Sequence, residues 1–201
     1  MDQSSRDEIY GLRILQITHW LGDSHAFLEA RGNLPAVSVL CSFEEATHLP
    51  VALVGTEVGA LTKSRGFVFT SLGEEQFYLS NNLPEQLREL FKPLNPRRLD
   101  EDLLEVLSKK AQKKVLDAIL LEDFVAFAYT AFKNVGLEGR FYLRRPLDKH
   151  LEPASNRREM LLALKRLWAF DWSFEQVLER LDETGSVGLD ARAVYVLNTN
   201  H

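Results

Sequence analysis

Four groups of residues in this chain have types and spacing that suggest chemistry. The first is Val51-Ala-Leu-Val-Gly-Thr-Glu-Val-Gly59, which has the outline of a strand running into a glycine turn. Such a turn lets backbone N–H groups approach a phosphate. Dinucleotide binding needs glycine where Glu57 stands, and a carboxylate there repels pyrophosphate. Lys63-Ser64 matches the end of a P-loop but lacks the glycine before the lysine. These residues read better as a strand and a turn. The second group is His19, Asp23 and His25, with His48 further on. Zinc centres use three or four convergent ligands in a recognisable pattern. On a helix His19 and Asp23 would share a face while His25 points elsewhere, so no metal site is assigned. No hydrolase pattern of the Gly-x-Ser-x-Gly or His-Glu-x-x-His type is present. No cofactor is expected.

The third group has the most content. Lys109, Lys110, Lys113 and Lys114 occupy one arc of a helix whose opposite side carries Leu104, Leu107 and Ala111. Glu105 lies four before Lys109 and Asp117 four after Lys113, each a favourable pair worth a few tenths of a kcal/mol, roughly. Lys110 and Lys114 repel each other at the same spacing, a repulsion that an external anion would relieve. The fourth group is a set of basic doublets, Arg97-Arg98, Arg144-Arg145 beside Phe141 and Tyr142, Arg157-Arg158 and Lys165-Arg166. If they converge with the lysines, they form a surface for a polyanion or an acidic protein. The contact residues expected are Lys109, Lys110, Lys113, Lys114, Arg144, Arg145, Arg157 and Arg158.

Charge segregation points to the same region. Lys and Arg number 5 against 11 Asp and Glu over residues 1–87, 17 against 12 over 88–166, and 2 against 6 over 167–201. A basic centre lies between acidic flanks, within a net charge of -5. The hydrophobic fraction of 45% and charged fraction of 26% exclude a disordered chain. The most apolar stretch, residues 115–132, is broken by Asp117, Glu122 and Asp123, so no membrane span is expected. The polar, acidic start lacks signal-peptide character. Cys41 is the single cysteine and reads as a small core residue, which makes the reducing cytoplasm the expected compartment.

The elements that must position these residues form an α+β protein. Residues 37–43 and 51–54 read as strands, and residues 66–70 and 76–80 as a hairpin about Ser71-Leu-Gly-Glu-Glu75. A competing reading makes residues 50–61 the recognition helix of a winged helix, with 67–70 as wing strand and Leu72 to Glu75 opening the next helix. Gly55 and Gly59, and the acidic character of the segment, weigh against it. Pro84 opens a helix over 85–91. Asp100 caps a longer one with Leu104, Leu107, Ala111, Val115 and Ala118 on its inner face. The apolar stretch through Phe124, Phe127 and Phe132, ending at Gly136, predicts a central helix. Residues 140–144 form a strand. Asn156 with Glu159, and Ser173 with Gln176, start two more helices. The last run, 193–197, reads as a strand that must pair with 140–144, with another copy or with another protein.

The expected arrangement is a strand-rich or winged-helix-like lobe over about residues 1–92, packed on a mainly helical lobe over 97–201. The function expected is that of a non-enzymatic binding or regulatory protein. Its partner would be a protein, another copy of itself, or a nucleic acid. The alternative is a small enzyme, possibly metal-dependent, assembled around His19, Asp23, His25 and His48.

Overall fold

A computed structural model describes residues 39–95 and 98–198. Its centre is a five-stranded antiparallel sheet in the order β1-β2-β5-β3-β4. The strands are β1 (Leu40–Ser42), β2 (Gly66–Phe69), β3 (Phe141–Arg144), β4 (Glu152–Ala154) and β5 (Val194–Asn198). The last strand is the middle one. It pairs with β2 on one side, Val196 opposite Phe67, and with β3 on the other, Val196 opposite Leu143. Both neighbours of β5 lie within the chain, and every residue of it is buried, as a β-branched and aromatic run covered on both faces requires. The sheet thus joins strands from either side of residues 92–98.

Nine helices are found among the described residues. Three are single turns: α1 (Phe43–Ala46), α2 (Val51–Val54) and α3 (Val58–Leu61). Then come α4 (Ser71–Ser80), α5 (Leu83–Phe91), α6 (Glu101–Asp117), α7 (Glu122–Val135), α8 (Arg157–Phe170) and α9 (Phe174–Thr184). Because side chains alternate along a strand, the sheet sorts two cores. Phe67, Phe69, Phe141, Leu143, Val194 and Val196 face the long helices and join Leu104, Leu164, Trp168 and Trp172. Cys41, Val68, Tyr195 and Leu197 face the other way, under Phe43, Leu53, Val54 and Val58 of the short helices. Each such apolar side chain stabilises by roughly 1.5–3 kcal/mol on burial.

Most helix boundaries follow the capping signals. Asp100 accepts from the Leu103 N–H at 3.0 Å and opens α6. Asn156 accepts from Arg158 and Glu159 to open α8, although the Glu159 carboxylate turns to Ser155 rather than completing the box. Ser173 does the same for α9, and Gly136 and Gly185 close α7 and α9 in the left-handed conformation. Ser42 and Glu45 form a full capping box at α1.

Three expectations are corrected. Residues 51–54 form helix α2 rather than a strand, and Gly55, at φ 83°, breaks the chain between α2 and α3. No continuous recognition helix therefore spans 50–61. Residues 76–80 belong to α4, so no hairpin forms; β2 runs straight into a helix from Ser71, with Glu74 in its first turn. Finally, α7 is peripheral. Of its residues only Phe124 and Ala128 are buried, and Phe127 is 57% exposed. Val125, Tyr129 and Phe132 are only partly buried against the core, and Phe127 is turned to the surface. Of the strand expected over 37–43, residues 40–42 are strand, Phe43 begins α1, and 37 and 38 lie outside the described residues.

Candidate functional site

The lysines of α6 stand where the helical spacing places them, and three of the four have ties. Lys109 pairs with Glu105 and Lys113 with Asp117, each at 2.6 Å and well exposed. Lys114 donates to Oε1 of Gln86 on α5 at 3.0 Å. Lys110 is exposed and makes no comparable contact with the described residues. Exposed pairs of this kind contribute little to stability, so they leave the row free to meet a partner's charge.

The arginine doublet behaves differently. Arg144 and Arg145, consecutive at the end of β3, point to opposite faces of the sheet. Arg144 donates from Nη1 and Nη2 to the Glu57 carboxylate at 2.8 and 3.0 Å, and its guanidinium lies over the Tyr195 ring. Glu57 also accepts from the Leu147 N–H at 2.5 Å. The Arg144 hydrogen bonds hold the Glu57 carboxyl below its ordinary range, partly opposed by burial, and Glu57 raises Arg144 in turn. The carboxylate that spoils a phosphate turn at 55–59 therefore anchors the short helices to the sheet.

Arg145 is only 1% exposed. It donates to both oxygens of Glu74 at 2.8 Å, to the Arg192 carbonyl at 2.7 Å and to Oδ2 of Asp171. Burial opposes its charge, but Asp171 and Glu74 more than offset this and hold it above the ordinary arginine value. Asp171 also accepts from Nη2 of Arg192 at 2.5 Å, and Glu74 from the Arg192 N–H at 2.8 Å. This network ties α4, the end of β3, the end of α8 and the approach to β5. Beside it, Trp172 donates to the buried Tyr78 hydroxyl at 2.7 Å, and Arg180 lies over the Trp172 ring. Burial, with Glu74 and Asp171 nearby, pushes the Tyr78 hydroxyl well above its usual value.

Of the eight expected contact residues, Arg144 and Arg145 are thus engaged inside the protein. Arg157 and Arg158 are exposed in the first turn of α8, Arg157 over the Tyr129 ring of α7 at 4.7 Å. His19, Asp23 and His25 lie outside the described residues, as does Arg97. His48 is exposed in the turn after α1, and no group of three or more His, Cys, Asp or Glu among the described residues is placed to hold a metal. Cys41 is buried, and burial pushes its thiol up to about 12. No helix among the described residues is long and apolar enough to cross a membrane.

A feature outside the expected set lies beside the lysine row. Leu116, Ile119, Leu121 and Phe127 are all exposed, Ile119 at 74%. The backbone from Leu116 to Ile119 is fixed from two sides. Asn81 donates to the Ile119 carbonyl and accepts from the Ile119 N–H, at 2.8 and 2.9 Å. Lys165 of α8 donates to the Leu116 and Ala118 carbonyls at 2.5 and 2.6 Å. Burial lowers the Lys165 ammonium, with Asp117 opposing. The result is a pre-ordered segment that holds large apolar side chains in water. The sequence signal was present in the apolar excess of residues 115–132, more than one buried helix face needs.

No family model matches the chain, and no curated protein matches it.

Proposed function

We propose that this is a non-enzymatic binding protein that docks a protein partner on the surface where the end of α6 runs into α7. The observation that carries the reading is the α6–α7 connection, pinned by Asn81 and Lys165 while Leu116, Ile119, Leu121 and Phe127 remain exposed. Exposed apolar side chains clustered beside a fixed backbone mark interaction surfaces, and little backbone ordering is left to oppose binding. The lysines at 109, 110 and 113 suit a partner that is acidic around an apolar centre. A nucleic acid is the poorer fit, since phosphate tracking favours basic groups over aliphatic ones, and Arg144 and Arg145 are occupied internally. The lone, buried Cys41 suits the reducing cytoplasm.

The test compares proteins recovered with the native chain, with Ile119→Asp/Phe127→Asp and with Lys110→Glu/Lys113→Glu, each first checked for an unchanged circular dichroism spectrum. Both double variants should lose the same partner, the lysine variant more severely as salt is lowered. Equal recovery by all three would reject this surface. Binding of the native chain to single-stranded or duplex nucleic acid with a steep salt dependence would transfer the reading to a polyanion.

A further inference from the structure

Val39, the first described residue, sits beside α7. It is partly buried against the main core, and its carbonyl accepts from the Thr70 N–H at 3.0 Å. A Cβ on Gly73 would meet that carbonyl oxygen and the Phe124 ring at the same distance, 3.2 Å, so Val39 and Phe124 are neighbours across the start of α4. Helix α7 in turn packs against β1 and β2. Phe127 stands about 4.5 Å further along α7 from Phe124. An extended chain covers roughly 3.3 Å per residue, so a few residues leading into Val39 span that gap. The surface that exposes Leu116, Ile119, Leu121 and Phe127 therefore lies next to the point where residues 1–38 join the fold.

The composition of residues 1–38 suits that surface. Half of residues 9–28 are large and apolar, Ile14, Ile17, Trp20 and Leu21 among them, and such side chains are driven to leave water. Asp and Glu number 5 in residues 1–38 against 3 Arg and no Lys, and Asp7-Glu8 stands directly before the apolar run. Acid followed by apolar residues complements Lys109, Lys110 and Lys113 followed by Leu116 and Ile119. We propose that residues 1–38 fold back onto the α6–α7 surface and occupy it in cis, so that a partner binds by displacing them. The cover acts on the docking surface proposed above and rests on that reading. A tethered segment meets its site at an effective concentration of roughly millimolar. An external partner then finds the surface only in the fraction of molecules left uncovered, and its affinity falls by that fraction.

The experiment places a nitroxide on Ser24→Cys in the full chain. Cys41 is buried with its thiol pushed up to about 12, so the label goes to position 24. Backbone amide resonances of residues 116–127 should lose most of their intensity and regain it when the nitroxide is reduced. Those of residues 51–61, on the other face of the sheet, should not change. Adding Ile119→Asp/Phe127→Asp should abolish the broadening, and so should Trp20→Asp/Leu21→Asp, which alters the cover and not the surface. Undiminished resonances at 116–127, or broadening that survives both double variants, would overturn the cover whatever the partner recovery shows. Broadening of an isotope-enriched chain by a nitroxide on a second, unenriched chain would mean that the segment crosses between copies, and would overturn the cis contact. Broadening within one chain, together with equal partner recovery by the native chain and its surface variants, would uphold the cover and count against the partner alone.

Discussion

Replacing Arg145 by Met separates the two readings of that residue most sharply. Methionine fills much of the same volume, so the change removes charge and hydrogen bonds with little added cavity. Four bonds are lost: two to Glu74, one to Asp171 and one to the Arg192 carbonyl. Glu74 and Asp171 are then left as carboxylates with almost no water access, at 0% and 2% side-chain exposure. Arg192 still reaches both residues, so the loss is less than that of two isolated charges. Removing one partner of a buried ion pair costs about 3–5 kcal/mol. A domain has roughly 5–15 kcal/mol in total, so the variant loses between about a fifth and all of its stability. Urea unfolding followed by tryptophan fluorescence should show a large fall in midpoint at nearly constant slope. Adding Glu74→Gln to Arg145→Met should recover part of the loss, because a neutral amide replaces a stranded carboxylate, with a coupling of about 1–3 kcal/mol. A loss below about 1 kcal/mol for Arg145→Met would refute the buried network and return Arg145 to the surface.

The remaining predictions concern the short helices that cover the other face of the sheet and the turn after β3 that meets them. Glu57 has its pKa lowered in the folded state, so its contribution is complete above the ordinary carboxylate range and disappears as pH falls through the depressed value. Glu57→Gln should therefore cost about 1 kcal/mol at neutral pH and flatten the acid limb of the stability curve, as measured by urea melts at several pH values. A variant with an unchanged acid limb would contradict this assignment. Gly55→Ala places a Cβ 2.5 Å from Pro146 Cγ and from the Tyr195 hydroxyl, at φ 83°. It should cost about 2–3 kcal/mol and loosen the Tyr195 hydroxyl from the Val54 carbonyl, seen as faster hydrogen exchange over residues 51–61. Leu147 is left-handed at φ 60° and 74% exposed. Leu147→Gly should be neutral or stabilising by up to about 1 kcal/mol, raising the melting temperature by a few degrees at most; a clear loss would mean that the side chain makes a contact.

What was legible in the sequence was local. Asp100, Asn156, Ser173, Gly136 and Gly185 act through atoms within a few residues, so their types alone announce the helix ends they form. The run 193–197 announced a strand by composition, and its burial on both faces is what a continuous apolar run implies. Errors arose where long-range contacts decide. Val51-Ala-Leu-Val54 has strand composition, yet Pro50 and Gly55 confine it to one turn, and burial of Leu53 and Val54 against the sheet makes a helix the better use of it. Residues 76–80 alternate like a strand, but Phe77 and Tyr78 pack inward from a helix, and Glu74 in its first turn meets Arg145, distant in sequence. The same blindness shaped the reading of the site. Eight basic residues look equivalent in a sequence, because nothing local distinguishes Lys110, which reaches solvent, from Arg145, whose carboxylates come from α4 and the end of α8. The sheet makes that distinction. Period-two alternation sends Arg144 to Glu57 and Arg145 to Asp171, so adjacent arginines secure opposite layers and cannot serve one surface. The proposed docking surface accordingly lies where the lysine row remains in water, beside the exposed Leu116, Ile119, Leu121 and Phe127.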